Sequence, residues 1–205
     1  MVAIIDYGVG NLFSLRSSFG AIGEEAIVTS DPEEIRRADR VILPGVGAFR
    51  DAAEKLRATG LDRVVRAEAA AGKPLMGICL GMQLLFDRSF EYGEWEGLGL
   101  LRGEIRPIAE RIPAGLKIPQ IGWNALTIVK PARILKYLRG REYVYFVHSY
   151  SAVHCEDSLL AETEYGAELT ACVGQGNVTG CQFHPEKSGK VGLSILKAFC
   201  EEGGV

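Results

Sequence analysis

Short apolar runs recur through the first eighty residues, each followed by a turn-prone stretch and a longer amphipathic segment. That rhythm predicts βα units wound around a mostly parallel sheet, because each crossover helix must bury one face on the sheet it spans. Val2-Ala3-Ile4-Ile5 reads as a buried strand ended by Tyr7-Gly8-Val9-Gly10-Asn11, and Leu12, Leu15 and Phe19 then fall on one helical face. Ala26-Ile27-Val28 is a second strand, and Ser30-Asp31-Pro32-Glu33-Glu34 a helix start, with a capping residue, a first-turn proline and early acids. Val41-Ile42-Leu43 is a third strand. Residues from about 48 to 71 read as helix broken near Gly60, and Pro74 to Ile78 as a fourth strand. The second half is β-rich around 97–108, 118–129, 142–152, 158–174 and 177–183, which predicts an antiparallel addition on one side of the sheet. Val191, Ile195, Leu196 and Phe199 form one apolar face of a closing helix. The expected architecture is α/β, a mostly parallel central sheet flanked by helices with an antiparallel β addition, in one domain over residues 1–205.

A length of 205 residues with 47% hydrophobic side chains supports one substantial core. The formal charge of −3 carries no basic excess of the kind that binds nucleic acid or anionic lipid, so a small solute or a protein partner is expected. The start Met1-Val2-Ala3-Ile4-Ile5-Asp6 lacks the pattern of an export signal, and no apolar run reaches membrane-spanning length, which predicts a cytosolic protein. Five cysteines at irregular spacing (79, 155, 172, 181 and 200) are a poor disulfide framework, leaving free thiols.

One of those thiols has a reactive setting. Gly77-Ile78-Cys79-Leu80-Gly81 ends an apolar strand and leads into the helix-compatible Met82-Gln83-Leu84-Leu85-Phe86. Flanking glycines permit a strained strand-to-helix turn that projects Cys79 from the sheet edge, and a helix start supplies positive potential and free N–H donors. A buried cysteine in a glycine-rich turn is the alternative. A thiol nucleophile also needs an imidazole to take its proton and a carboxylate to orient that ring. Phe183-His184-Pro185-Glu186 offers both, since residues i and i+2 share a side of an extended chain and Pro185 favours extension before it. The histidine directly precedes its acid, unlike the order in α/β-hydrolase esterases. Pro44-Gly45-Val46-Gly47 follows a strand, and its glycines let the backbone approach a ligand. It is too short for a dinucleotide fingerprint, and Gly8-Val9-Gly10 fails that pattern at Phe13. Cys181 and His184 form one C-x-x-H pair without a second, so no metal site is expected, and no cofactor.

The segments Gly77-Ile78-Cys79-Leu80-Gly81-Met82-Gln83 and Phe183-His184-Pro185-Glu186 resemble those of the class I, triad-type glutamine amidotransferases. Asp6 to Asn11, Pro44 to Phe49, Ile121-Gly122-Trp123-Asn124 and Phe146-Val147-His148-Ser149-Tyr150 resemble the branch that serves histidine biosynthesis. The resemblance spans nearly the whole chain. It implies that family's fold, glutamine as substrate, and a heterodimer with a cyclase that consumes the ammonia to make imidazole glycerol phosphate and an aminoimidazole carboxamide ribotide. Carried onto these positions, it implies a catalytic triad of Cys79, His184 and Glu186. Gly45, Val46 and Gly47 become the oxyanion strand, joined by the Leu80 N–H. Gln83, Ser149 and Tyr150 become substrate-binding residues, His148 is structural, and Asn11, Trp123 and Lys187 are candidates for the docking face. The rivals are an amidotransferase of the anthranilate or carbamoyl phosphate type and a non-catalytic binding subunit of the same fold.

Overall fold

The computed structural model describes residues 1–202. The first half follows the expected alternation: β1 (Val2–Ile5), α1 (Leu12–Ala21), β2 (Ala26–Thr29), α2 (Pro32–Arg37), β3 (Arg40–Leu43), α3 (Phe49–Ala58), α4 (Leu61–Ala70) and β4 (Leu75–Ile78). The start of α2 is capped as its sequence predicts, with the Asp31 side chain accepting from Glu33 N–H at 2.8 Å. Then come α5 (Leu80–Leu84), β5 (Phe86–Ser89), β6 (Trp95–Glu96), β7 (Leu101–Pro107), β8 (Gln120–Ala125) and β9 (Thr127–Ile128). The chain continues through β10 (Tyr143–His148), β11 (Tyr150–Val153), β12 (Leu159–Glu164), β13 (Glu168–Gln175) and β14 (Val178–Cys181), and ends in α6 (Gly189–Glu202).

Eight strands form the central sheet in the order β2-β1-β3-β4-β14-β13-β12-β9. The pairs from β2 to β14 are parallel, and those from β14 outward are antiparallel, so the addition lies on one side as expected. Both faces of the parallel half are buried. Ala3 and Ile5 of β1 point to one side with Ile35, Phe49, Leu56 and Val65, while Val2 and Ile4 point to the other with Leu15, Phe19, Ile195 and Phe199. Two smaller sheets flank it: β11-β7-β5-β6 and the antiparallel ribbon β8/β10.

Two segments differ from expectation, Met82 to Phe86 and His184 to Glu186. Met82 to Phe86 is not one helix: α5 ends at Leu84, and Phe86 opens β5. The cause is tertiary, since Leu98 N–H donates to the Leu84 carbonyl at 2.7 Å and Leu100 N–H to that of Leu85 at 2.8 Å. The stretches 142–152 and 118–129 are β-rich as expected, and each holds two strands that belong to different sheets, divided at Ser149 and at Leu126. Finally, the chain is not extended from His184 through Glu186, because Pro185–Lys187 forms a single 3-10 turn.

Candidate active site

Three neighbouring parallel strands deliver the site. In the sheet, β4 lies between β3 and β14, with Gly77 opposite Leu43 on one side and Ile78 opposite Cys181 on the other. Parallel strands end on the same edge, so the segments that leave them meet there: Pro44 to Gly47 after β3, Cys79 after β4, and Gln182 to His184 after β14. This edge, beyond the carboxyl ends of the strands, is where open α/β sheets place their ligands. Cys79 N–H donates to the Cys181 carbonyl at 2.7 Å, which ties the cysteine and histidine segments together across about a hundred residues of sequence.

Cys79 has φ 54° and ψ −113°, a left-sided conformation strained for a residue with a Cβ. Its neighbours allow the turn by being small. A Cβ on Gly81 would lie 1.8 Å from the Leu43 carbonyl oxygen, and one on Gly77 would lie 2.6 Å from that of Gly81. The elbow therefore rests on β3 by backbone contact. Gly81→Ala is expected to cost about 3 kcal/mol or more through overpacking, lowering the melting temperature by roughly 6–12 °C. Gly20→Ala on α1, where a Cβ meets open space, is the control and should stabilise by about 0.5–1 kcal/mol. Thermal denaturation checks both, and a Gly81→Ala melting point equal to the parent's contradicts the close packing.

His184 Nδ1 bonds Glu186 Oε1 at 2.8 Å, with both side chains almost fully buried. A carboxylate only accepts, so Nδ1 carries a proton and Nε2 is the atom free to exchange one. The ring's position is held by its own backbone, whose N–H donates to the Tyr145 carbonyl, and by Ser188 Oγ donating to the His184 carbonyl. Burial alone would lower the imidazole pKa, but interaction with the Cys79 thiol and the Glu186 carboxylate outweighs that and lifts it to about 9. Nε2 is buried and makes no aligned hydrogen bond, although the Cys79 thiol is near enough to raise the pKa of the ring. The other cysteines are also free, and burial pushes the Cys172 and Cys200 thiols up to about 12, and that of Cys181 well above its ordinary value.

A cavity of about 710 Å³ opens over Cys79. It brings together most of the residues singled out in the sequence: Val46, Gly47, Cys79, Leu80, Gln83, Ser149, Tyr150, His184 and Lys187 all line it. Gly45 sits just behind, where an added Cβ would lie 2.7 Å from Gly81 N. The segment after β3 is clamped at both ends, by Tyr7 Oη donating to the Pro44 carbonyl at 2.7 Å and by Glu91 accepting from Phe49 N–H. Glu91 and Tyr92 also line the cavity and were missed in the sequence. Burial raises the Glu91 carboxyl, against the lowering effect of the Phe49 hydrogen bond. His148 is buried with both ring nitrogens bonded, to the Tyr150 carbonyl at 2.8 Å and the Gln120 side chain at 2.9 Å. Burial lowers its pKa to about 4, so it stays neutral.

Trp123 and Lys187 share a face. Trp123 is about half exposed on β8 and meets Tyr145 of β10 edge-on at 6.1 Å, and Lys187 Nζ lies 5.8 Å from the same Tyr145 ring. Ile121 and Tyr143 extend this apolar face and are also exposed. Asn11 stands at the start of α1 and makes no capping bond with its side chain.

The fold and these residues define a class, and the comparisons agree: the chain belongs to the class-I glutamine amidotransferase family, whose description matches residues 3–202. Within it, the chain's relatives are subunits HisH of imidazole glycerol phosphate synthase. That of Oceanobacillus iheyensis is 49% identical over 98% of both chains, that of Lactococcus lactis subsp. lactis 50% identical over 98% of both. That of Methanothermobacter thermautotrophicus is 47% identical, again over 98% of each. Solved structures share the fold at lower identity. A glutamine amidotransferase aligns with TM-score 0.75 at 22% identity, covering 97% of this chain and 98% of its own. The PurLQS structure from Thermotoga maritima aligns with TM-score 0.76 at 20% identity, over 97% and 96%. No helix among the described residues is long and apolar enough to cross a membrane.

Proposed function

We propose that this chain is the glutaminase subunit of an imidazole glycerol phosphate synthase. It releases ammonia from glutamine and passes it to a cyclase partner that makes imidazole glycerol phosphate and an aminoimidazole carboxamide ribotide in histidine biosynthesis. It acts as one glutaminase domain in a cytoplasmic heterodimer. The observation that carries this reading is that Cys79 and His184 line one cavity of about 710 Å³ while Glu186 holds the far side of the His184 ring, in a chain with HisH relatives near 50% identity over 98% of their lengths.

The Cys79 thiolate attacks the carboxamide carbon of glutamine, forming a C–S bond. As the C–N bond breaks, His184 Nε2–H protonates the departing nitrogen, and ammonia leaves. Neutral His184 then takes a proton from water, which attacks the thioester and releases glutamate and the thiolate. Glu186 keeps the ring in the tautomer this exchange needs. The Leu80 N–H, in the first turn of α5 where intrahelical acceptors are lacking, and the Val46–Gly47 peptide are the oxyanion donors. Gln83, Ser149 and Tyr150 bind the substrate, and Glu91 supplies an anionic group suited to the α-ammonium of an amino acid. The apolar β8/β10 face, with Trp123, Lys187 and Asn11, is the docking surface for the cyclase. The test is coexpression with a histidine-pathway cyclase, followed by copurification and a glutamate-release assay. A stable, glutamine-hydrolysing complex is expected. Failure of the pair to associate, with no stimulation of hydrolysis, removes the pathway assignment.

A further inference from the structure

Gln182 lies between the end of β14 and His184, is fully buried, and has no part in the triad chemistry. Its side chain bridges two residues of the site. Nε2 donates to Cys79 Sγ at 3.7 Å, and Oε1 accepts from Gln83 Nε2 at 2.9 Å. The two ends of an amide are alike in shape, so the direction of such a bridge has to be set by a partner whose role is unambiguous. The Tyr150 backbone carbonyl is that partner, because it can only accept, and Gln83 Nε2 donates to it at 3.2 Å. With the Gln83 amide so turned, its second N–H faces Gln182, which must present its oxygen there. The Gln182 NH₂ group is left pointing at sulfur. Turning Gln182 alone would set two NH₂ groups against each other. Turning both would set the Gln83 oxygen against the Tyr150 carbonyl.

We infer that Gln182 is a hydrogen-bond donor to the Cys79 thiolate, aimed by Gln83, and that it stabilises the sulfur both as nucleophile and as the leaving group of deacylation. This rests on Cys79 being the glutaminase nucleophile. The sulfur needs such a donor. The Val147 carbonyl is 4.0 Å away and suits the thiol, whose proton it can accept, while its oxygen repels a thiolate. The titratable groups that act on the sulfur are Tyr7 from the loop after β1, Cys181 from β14, and His184 with its partner Glu186 beyond β14. Burial raises the pKa of both Tyr7 and Cys181, so neither ionises near neutrality. His184 supplies positive charge only until it gives up its proton. When the thioester breaks, His184 has begun the step neutral, whereas the amide donates throughout because it does not titrate.

The experiment measures alkylation of Cys79 by iodoacetamide, read by mass spectrometry on the Cys79 peptide, across pH 5 to 9.5 in the full chain. The parent is compared with Gln182→Met, which removes the donor at similar length, and Gln182→Glu, which keeps an acceptor for Gln83 and so preserves the packing. Losing one donor to a charged group should raise the pH of half-maximal rate by about one unit, making alkylation about tenfold slower on the acid side. The alkaline plateau should stay within about twofold in Gln182→Met. A merely structural role would change the plateau through access to the thiol and leave the midpoint in place. A midpoint unchanged in Gln182→Met overturns the inference whatever Gln182→Glu does, because a carboxylate beside the sulfur raises the midpoint by charge alone. Protection of the parent's Cys79 by excess glutamine tests the glutaminase reading separately: its absence overturns that reading, and this assignment with it, whatever the midpoints show.

Discussion

A complex carrying Cys79→Ala will make essentially no product from glutamine while keeping most of its synthesis from added ammonia. On the proposed mechanism the sulfur forms the thioester, and neither the imidazole nor the oxyanion donors can replace it. Deleting the nucleophile of a triad typically removes about 10⁴-fold or more of the rate. The substitution is small, and although Cys79 is buried among core residues, it also lines the cavity, so the side-chain atom lost borders open space. The elbow keeps its backbone bond to the Cys181 carbonyl, so the proposed docking face on β8 and β10 is left undisturbed. The measurement is product formation with glutamine and then with an ammonium salt at mildly alkaline pH, where free ammonia is available. If ammonium fails to rescue the mutant complex, Cys79 serves structure or the interface instead.

The second large effect is expected in regulation. The isolated chain should hydrolyse glutamine very slowly, and docking of a cyclase that holds its own ligand should accelerate hydrolysis by about 10²–10³, the usual worth of one oxyanion donor. The segment after β3 is built to change one peptide without disturbing the rest. Tyr7 fixes the Pro44 carbonyl, Gly45 is wedged against the elbow, and Glu91 fixes Phe49 N–H. Between these clamps Val46 is 41% exposed, and Gly47 has φ +94° with open space where a Cβ would stand. The peptide joining them can turn at the modest cost a glycine allows. A partner's ligand that favours the turned form would switch hydrolysis on, and reciprocity requires glutamine to tighten that ligand's binding. Glutamate release by the lone chain, by the complex, and by the complex with cyclase substrate or product decides the matter. Equal turnover in all three rejects the switch and leaves the glutaminase assignment untouched.

The sequence revealed the parallel half of the sheet and the meeting of Cys79 with the paired His184 and Glu186 for the same reason: both depend on local pattern. A short apolar run flanked by turn residues marks a buried strand wherever it lands, and the residues that follow β3, β4 and β14 therefore had a predictable place. What local pattern misses is a structure decided by distant backbone. Leu84 and Leu85 would continue α5 if residues 97–101 did not take their carbonyl groups, and β5 exists because of that capture. Glu91 and Tyr92 reach the cavity only through the β5–β7 pairing, and nothing in their own neighbourhood announces it. The geometry joining His184 to Glu186 differed from expectation although the pairing did not, because a single 3-10 turn brings i and i+2 together as well as an extended chain does. Gln182 had no signal of its own. A glutamine beside an apolar strand acquires a direction only from Gln83, and Gln83 from a carbonyl far along the chain.

The place of β14 in the sheet has a consequence for synthesis. This late strand is inserted between β4 and β13, both made before it, and it carries the histidine segment on its end. At a translation rate of roughly 5–20 residues per second, Cys79 leads His184 by about 5–20 seconds. Until β14 is made, β4 lacks its partner on that side and Cys79 lacks an imidazole, so on the proposed mechanism the growing chain has no route to consume glutamine. Placing β14 joins the parallel and antiparallel halves and brings His184 to Cys79 in one event, which on that mechanism makes hydrolytic competence a report that the sheet is finished.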